Sequence, residues 1–213
     1  MNSQQKILND NFLYYVQENN IIKAQKSLEA GADVNALDAA FGRPALTYAI
    51  FNENMDMFKL LLAKGANPNK LANYKNNYVS PLMTCAMKNS YEKATETQKE
   101  MAQILIEKGA DINATDHHGR TALVLSVYYC QPEMAELLIK NGADVNKVAD
   151  GEPTALKIAQ LNWSKYKSFE QVIKLLEEKT EQSSNLIAKP IVKQEVKIFK
   201  NQMDAFNHQN DGN

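Results

Sequence analysis

No run of about 18 apolar residues occurs in the chain, so nothing in it reads as a membrane-spanning helix. Charge of one sign is not in excess: 24 Lys plus Arg against 25 Asp plus Glu leave a formal net charge of -1. Non-specific nucleic-acid binding needs a basic surface, and this balance argues against it. Cysteine is scarce. Cys85 and Cys130 are the only two, too few for a disulfide framework or a zinc site, and they read as reduced thiols of a cytoplasmic protein. The opening residues, MNSQQKILNDNFLYYVQENN, carry one Lys and no continuous apolar stretch, so they do not read as a secretory signal. Catalytic signatures are missing too: there is no Walker loop, dinucleotide fingerprint, HExxH or GxSxG. What remains is 213 residues, 44% hydrophobic and 23% charged, an ordinary composition for a globular chain of one domain with a tail.

What is present is a repeat. GADVN at 31–35, GANPN at 65–69, GADIN at 109–113 and GADVN at 142–146 place their glycines 34, 44 and 33 residues apart. A period near 33 with two helices per unit suggests a solenoid. Each glycine follows an apolar helix end (KSLEA, LLLAK, ILIEK, LLIKN) and suits the left-handed position that closes a helix. A second signal recurs downstream of each: RPALTYA (43–49), SPLMTCA (80–86), RTALVLS (120–126) and TALKIA (154–159). Ser80, Thr121 and Thr154 are placed to cap the helices these runs begin.

At these residues the chain resembles the ankyrin-repeat family, whose unit runs D-x-x-G-x-T-P-L-H-x-A, a second helix ending in L-L, then G-A-D-V-N. Residues 115–147 match best. The resemblance implies an all-α fold: a solenoid of about five helix-turn-helix units with β-hairpin loops over 1–180, followed by a tail at 181–213. The units fall at about 10–35, 36–69, 70–113, 114–147 and 148–180. The family's helix-capping His is replaced by Thr47, Met83, Val124 and Lys157, which implies less rigid units.

In the first unit Phe12, Tyr15, Val16, Ile22 and Leu28 are expected to face inward. The third unit carries eight extra residues around Asn89 to Lys99, polar and without Gly or Pro, expected to extend its helix pair. The fifth carries an insert near Asn162 to Lys167 and ends in KLLEEKT as a cap. EQSSN at 181–185 reads as a linker, and Pro190 to Phe206 has the spacing of one amphipathic helix.

The resemblance implies partner contact through the hairpin fingers and the concave face lined by each unit's first helix. Carried over by position, that surface is Phe41, Arg43 and Phe51 in the second unit; Asn76, Asn77, Tyr78, Met87 and Lys88 in the third; His117, His118, Arg120, Tyr128 and Tyr129 in the fourth; and Trp163 in the fifth. Aromatic and Arg side chains are the usual interface hot spots. Phe41 and Tyr128 are expected to be exposed, while Tyr129 and Trp163 fit core or surface equally.

The expected function is non-catalytic protein–protein interaction by a cytoplasmic monomer, with a protein partner, no nucleic acid, no membrane and no cofactor. Narrower forms are an inhibitor or immunity-type protein that blocks an enzyme, and a bacterial effector that engages host proteins. Membrane association through the tail is a remote alternative. Adjacent His117 and His118 beside Asp116 invite a metal reading, but neighbouring residues usually point apart. Cys130 lacks the orienting groups of a nucleophile. Cys85 replaces a small packing Ala and reads as buried. Asn35, Asn69, Asn113 and Asn146 are expected to bond backbone groups of their turns. Family resemblance also implies that such Asn can be hydroxylated in some eukaryotic cells.

Overall fold

The computed structural model describes residues 3–74, 77–87, 94–147, 151, 153–163 and 167–184. Helices come in antiparallel pairs: α1 (Ser3–Gln17) with α2 (Ile21–Glu29), and α3 (Ala45–Phe51) with α4 (Met55–Ala63). A hairpin, β1 (Ala72–Tyr74) and β2 (Asn77–Val79), precedes α5 (Pro81–Ala86) and α6 (Glu96–Glu107). Then come α7 (Ala122–Tyr128) with α8 (Pro132–Lys140), and α9 (Ala155–Trp163) with α10 (Glu170–Ser184), joined through a short 3-10 turn at Lys167–Phe169. The odd-numbered helices pack one on the next as an inner layer, and the even-numbered ones form the outer layer.

Small side chains let the inner helices approach. Ala45, Ala49, Ala122, Ala155 and Ala159 are buried along that layer. Cys85 takes the place of Ala49 one unit on; it is fully buried, and burial pushes its thiol well above the usual range. Phe12, Phe58, Phe169 and a run of Leu, Ile and Met side chains fill the space between the layers. At the helix ends, Gly65 adopts a φ of +87°. Its N–H donates to the Leu62 carbonyl, and the following Ala66 N–H reaches back to Leu61. Gly31, Gly109 and Gly142 close their helices in the same way, so orphan carbonyls are satisfied in all four. Ser80, Thr121 and Thr154 each accept a bond from the backbone N–H three residues on.

Asparagines tie the units together. Asn69 Nδ2 donates to Gly109 O at 2.9 Å, and its Oδ1 accepts Asp111 N–H at 2.7 Å. Asn35 makes the same pair of bonds to Gly65 and Asn67, and Asn113 accepts from Asp144. These bonds reach the next unit's turn rather than their own. The residue two places earlier (Asp33, Asn67, Asp111 or Asp144) closes the local turn instead. The turn at Gly31 to Asp33 receives the equivalent bonds from a helix. There α1 supplies them: Gln5 donates to Gly31 O and Asn9 accepts Asp33 N–H.

Several local expectations need correction. Ile22 lies on the outer side of α2 and is 67% exposed, while Ile21 and Ala24 face the core. A register shift of one residue turns a helical side chain by about 100°, enough to reverse its face. The insert does not extend both helices of its pair. Helix α5 ends at Ala86, while α6 is 12 residues against 9 in α4 and α8. Thr95 begins α6 with a cap bond from Gln98 N–H and donates its hydroxyl to Glu53 in the previous unit at 2.7 Å. The stretch read as a linker begins inside α10, which runs through Ser184. The expected helix over 190–206 lies outside the described residues, as does the rest of the tail. Among the replacements for the capping His, Thr47 is 1% exposed and its hydroxyl has no hydrogen-bond partner among the described residues.

Candidate functional site

The second unit's finger is built on one carboxylate. Asp38 Oδ1 accepts the Ala40 and Phe41 N–H groups at 2.9 and 2.6 Å. Its Oδ2 accepts the Arg43 N–H at 2.9 Å and the Tyr48 hydroxyl at 2.8 Å. The finger is closed at its base by a bridge between Leu37 and Pro44. The Arg43 guanidinium lies over three rings, its central carbon 4.9 Å from the centroid of Phe41, 5.2 Å from Phe51 and 5.9 Å from Tyr48. Phe41 on the finger and Phe51 at the end of α3 are 43% and 53% exposed. The Tyr48 phenol is pushed up to about 12, mainly by burial and then by its bond to Asp38 and that residue's charge, against the opposing charge of Arg43.

The third finger is the β1–β2 hairpin, with Ala72 opposite Val79 and Asn73 opposite Tyr78. Alternation along the strand buries Ala72 and leaves Tyr78 43% exposed. It docks on the second finger through Asn73 N–H to Gly42 O at 2.9 Å. Gly42 has a φ of +59°, and a Cβ there would stand 2.8 Å from Asn73 O, so only glycine fits this joint. Asn77 pairs with Tyr74 through the backbone. Asn76, Lys88 and the Asn77 side chain lie outside the described positions.

The fourth finger uses its arginine differently. Asp116 accepts the His118 and Arg120 N–H groups, each at 2.9 Å, and Arg120 Nε and Nη2 both reach its Oδ2, at 2.9 and 2.7 Å. Arg120 thus holds a buried carboxylate inside its own finger. His117 and His118 are exposed. Their rings do not diverge as neighbours on an extended strand do: the centroids are 3.6 Å apart, because the finger turns tightly there. Tyr128 and Tyr129 meet edge to face at 5.3 Å and are both half-buried, Tyr129 against the core. Tyr128 is therefore less open than expected. Met87 also packs on the core. Trp163 is the last residue of α9, and its side chain is outside the described set.

The predicted residues therefore do not form one even stripe. Among the described residues, the large hydrophobic side chains that are exposed all lie between Ile7 and Tyr78, in the first three units. Tyr48, Leu37 and Tyr14, the last 56% exposed, escaped the sequence reading. Tyr14 occupies in α1 the place of Tyr48 in α3, each five residues before a left-handed turn residue, Asn19 or Glu53. Aligning the units on that turn would have exposed both tyrosines. Among the described residues no three His, Cys, Asp or Glu side chains gather as metal ligands, and no helix is long and apolar enough to cross a membrane.

Comparison with known proteins agrees with this geometry. The family model for ankyrin repeats (three copies) matches residues 12–116 and 93–149. A curated protein of Treponema pallidum (strain Nichols), named for its ankyrin repeats, is 33% identical over 118 residues, covering 55% of this chain and 36% of the relative. The match thus spans about a third of that relative's length.

Proposed function

The chain belongs to the ankyrin-repeat family, whose units generally serve as protein–protein interaction modules, and on that premise we propose that it is a non-catalytic protein that binds a partner protein through the fingers and inner-helix ends of its first three units. The observation that carries this reading is the pair of half-exposed rings, Phe41 on the second finger and Phe51 at the end of α3, against Arg43, with half-exposed Tyr78 on the third finger, which docks on the second at Gly42. Contiguous exposed apolar patches commonly mark interaction sites, and aromatic and Arg side chains are the usual hot spots there. The stacked units hold the surface rigid, so little ordering entropy is lost on association. Tyr128, Tyr129 and the adjacent His117 and His118 extend the surface into the fourth unit as a weaker rim. Arg120 is assigned a structural task instead.

The test is affinity capture from lysate of the cells that make the protein. Wild type is compared with a Phe41→Ala/Phe51→Ala variant of matched melting temperature. The partner is expected on wild type alone. Equal capture by both would move the site away from these fingers. Co-purification with a toxin-like enzyme would favour the inhibitor form, and detection of the protein inside a host cell the effector form.

A further inference from the structure

The last described helix pair differs from the seams before it. Helix α9 packs on α7, and α10 on α8. A cleft runs between α9 and α10, lined by Gln160, Glu170, Ile173, Lys174 and Glu177 and by no residue of α7 or α8. It therefore opens on the side where a further pair would stack. Glu170, Ile173, Lys174 and Glu177 share one face of α10, at i, i+3, i+4 and i+7. Ile173 is only half-buried there, as is Leu156, one turn before Gln160 in α9. Stacked units bury such side chains against the next pair. The chain that follows α10, outside the described residues, carries a matching pattern. Over 190–206, Val192, Val196, Phe199, Met203 and Phe206 recur at i, i+4, i+7, i+11 and i+14, the spacing of an apolar stripe on a helix. At about 100° per residue, Lys189, Lys193 and Lys200 fall along one edge of that stripe and Glu195 along the other.

We infer that residues 190–206 form a helix antiparallel to α10 and seat that stripe in the α9–α10 cleft, so that the chain caps its own last unit. The length fits. Residues 190–206 as a helix span about 25 Å, against about 22 Å for α10. Residues 185–189 suffice for the reversal, since connections between packed helices commonly take about 2 to 8 residues. Pro190 suits the first helical position, where its missing N–H costs nothing. The charges fit as well. Glu170 and Glu177 stand as far apart in sequence as Lys193 and Lys200, about 10.5 Å along either helix. An antiparallel helix sets Lys193 toward Glu177 and Lys200 toward Glu170. Lys174 stands farther round α10 from Ile173 than either glutamate does. Tethering favours this occupant over any free protein, because a short linker holds the segment near the cleft at an effective concentration on the order of millimolar. The cleft lies in the fifth unit, away from Phe41, Phe51 and Tyr78 in the second and third, so the cap leaves the proposed binding surface open.

The experiment is hydrogen–deuterium exchange, read by mass spectrometry on the full chain. Residues 190–206 should exchange about tenfold more slowly than the same sequence as a free peptide. Phe199→Asp/Met203→Asp, which alters only the tail, should release that protection and speed exchange in α9 and α10, with the first four units unchanged. Lys193→Glu/Lys200→Glu should release part of it, and adding Glu170→Lys/Glu177→Lys should restore it. Exchange of the tail at the free-peptide rate would overturn the inference and leave the cleft to another protein. Protection that rises with protein concentration would overturn it in favour of the tail of a second copy. A protected tail whose Phe199→Asp/Met203→Asp variant leaves α9 and α10 unmoved would overturn it too, because the tail would then be seated elsewhere. Failure of the second pair of charge changes to restore protection would overturn the antiparallel seating.

Discussion

Removing Asp116 should cost the fourth finger much of its stability. Its side chain is 1% exposed, and that of Arg120 is 19% exposed. The carboxylate accepts two backbone N–H groups and two guanidinium bonds. Asp116→Ala removes all four and leaves a largely buried cation. Breaking a buried pair from one side costs about 3 kcal/mol, near the lower end for such pairs because Arg120 keeps some access to water. For a chain of this size that corresponds to a melting-temperature drop of roughly 6 to 12 °C. Arg120→Ala should cost less, about 1 to 2 kcal/mol, because Asp116 keeps its backbone donors. The double variant should then be less destabilised than the two single changes added together, by about 1 kcal/mol or more. Urea unfolding followed by circular dichroism gives all three values. Additivity within about 0.5 kcal/mol would refute the coupling. Arg120 would then return to the candidate binding surface, from which its bond to Asp116 now removes it.

Other changes test other parts of the reasoning. Asn69→Ala deletes two inter-unit bonds; with water able to replace them, the expected loss is about 1 to 2 kcal/mol, and a wild-type unfolding midpoint would count against the asparagine ladder. Thr47→Val keeps the shape of a buried side chain and removes a hydroxyl without a partner among the described residues. It should raise stability by about 1 kcal/mol, whereas a comparable loss would show that the hydroxyl is satisfied. The Tyr48 phenol is raised from its usual 10.0 to about 12. Its contribution to stability is therefore full below pH 10 and disappears as the pH rises toward 12. Phenolate absorbance and stability measured through that window should differ between wild type and Tyr48→Phe, and identical alkaline profiles would deny the raised value.

Much of this protein was legible in short windows of sequence. The four glycines marked helix ends because a left-handed residue is a demand of the local backbone, met within a few residues. Ser80, Thr121 and Thr154 announced helix starts for the same reason: a cap bond spans three residues. The repeat spacing then dictated the stacking, since one helix pair cannot bury its apolar face alone. Side-chain fate at a distance was not legible. Asp38 and Asp116 sit in nearly the same local frame, and the sequence treated Arg43 and Arg120 alike. What separates them is Tyr48, ten residues from Asp38, and the rings of Phe41 and Phe51 that meet only when finger and helix end come together. The asparagines were read correctly as turn residues, but their partners lie 30 to 42 residues away, in the neighbouring unit. Sequence by itself determined the elements and their repetition, because those obey rules of local geometry. Tertiary structure alone decided that Arg120 lies on Asp116 and that Arg43 lies among the rings of Phe41, Phe51 and Tyr48, because those neighbours meet only when finger and helix come together.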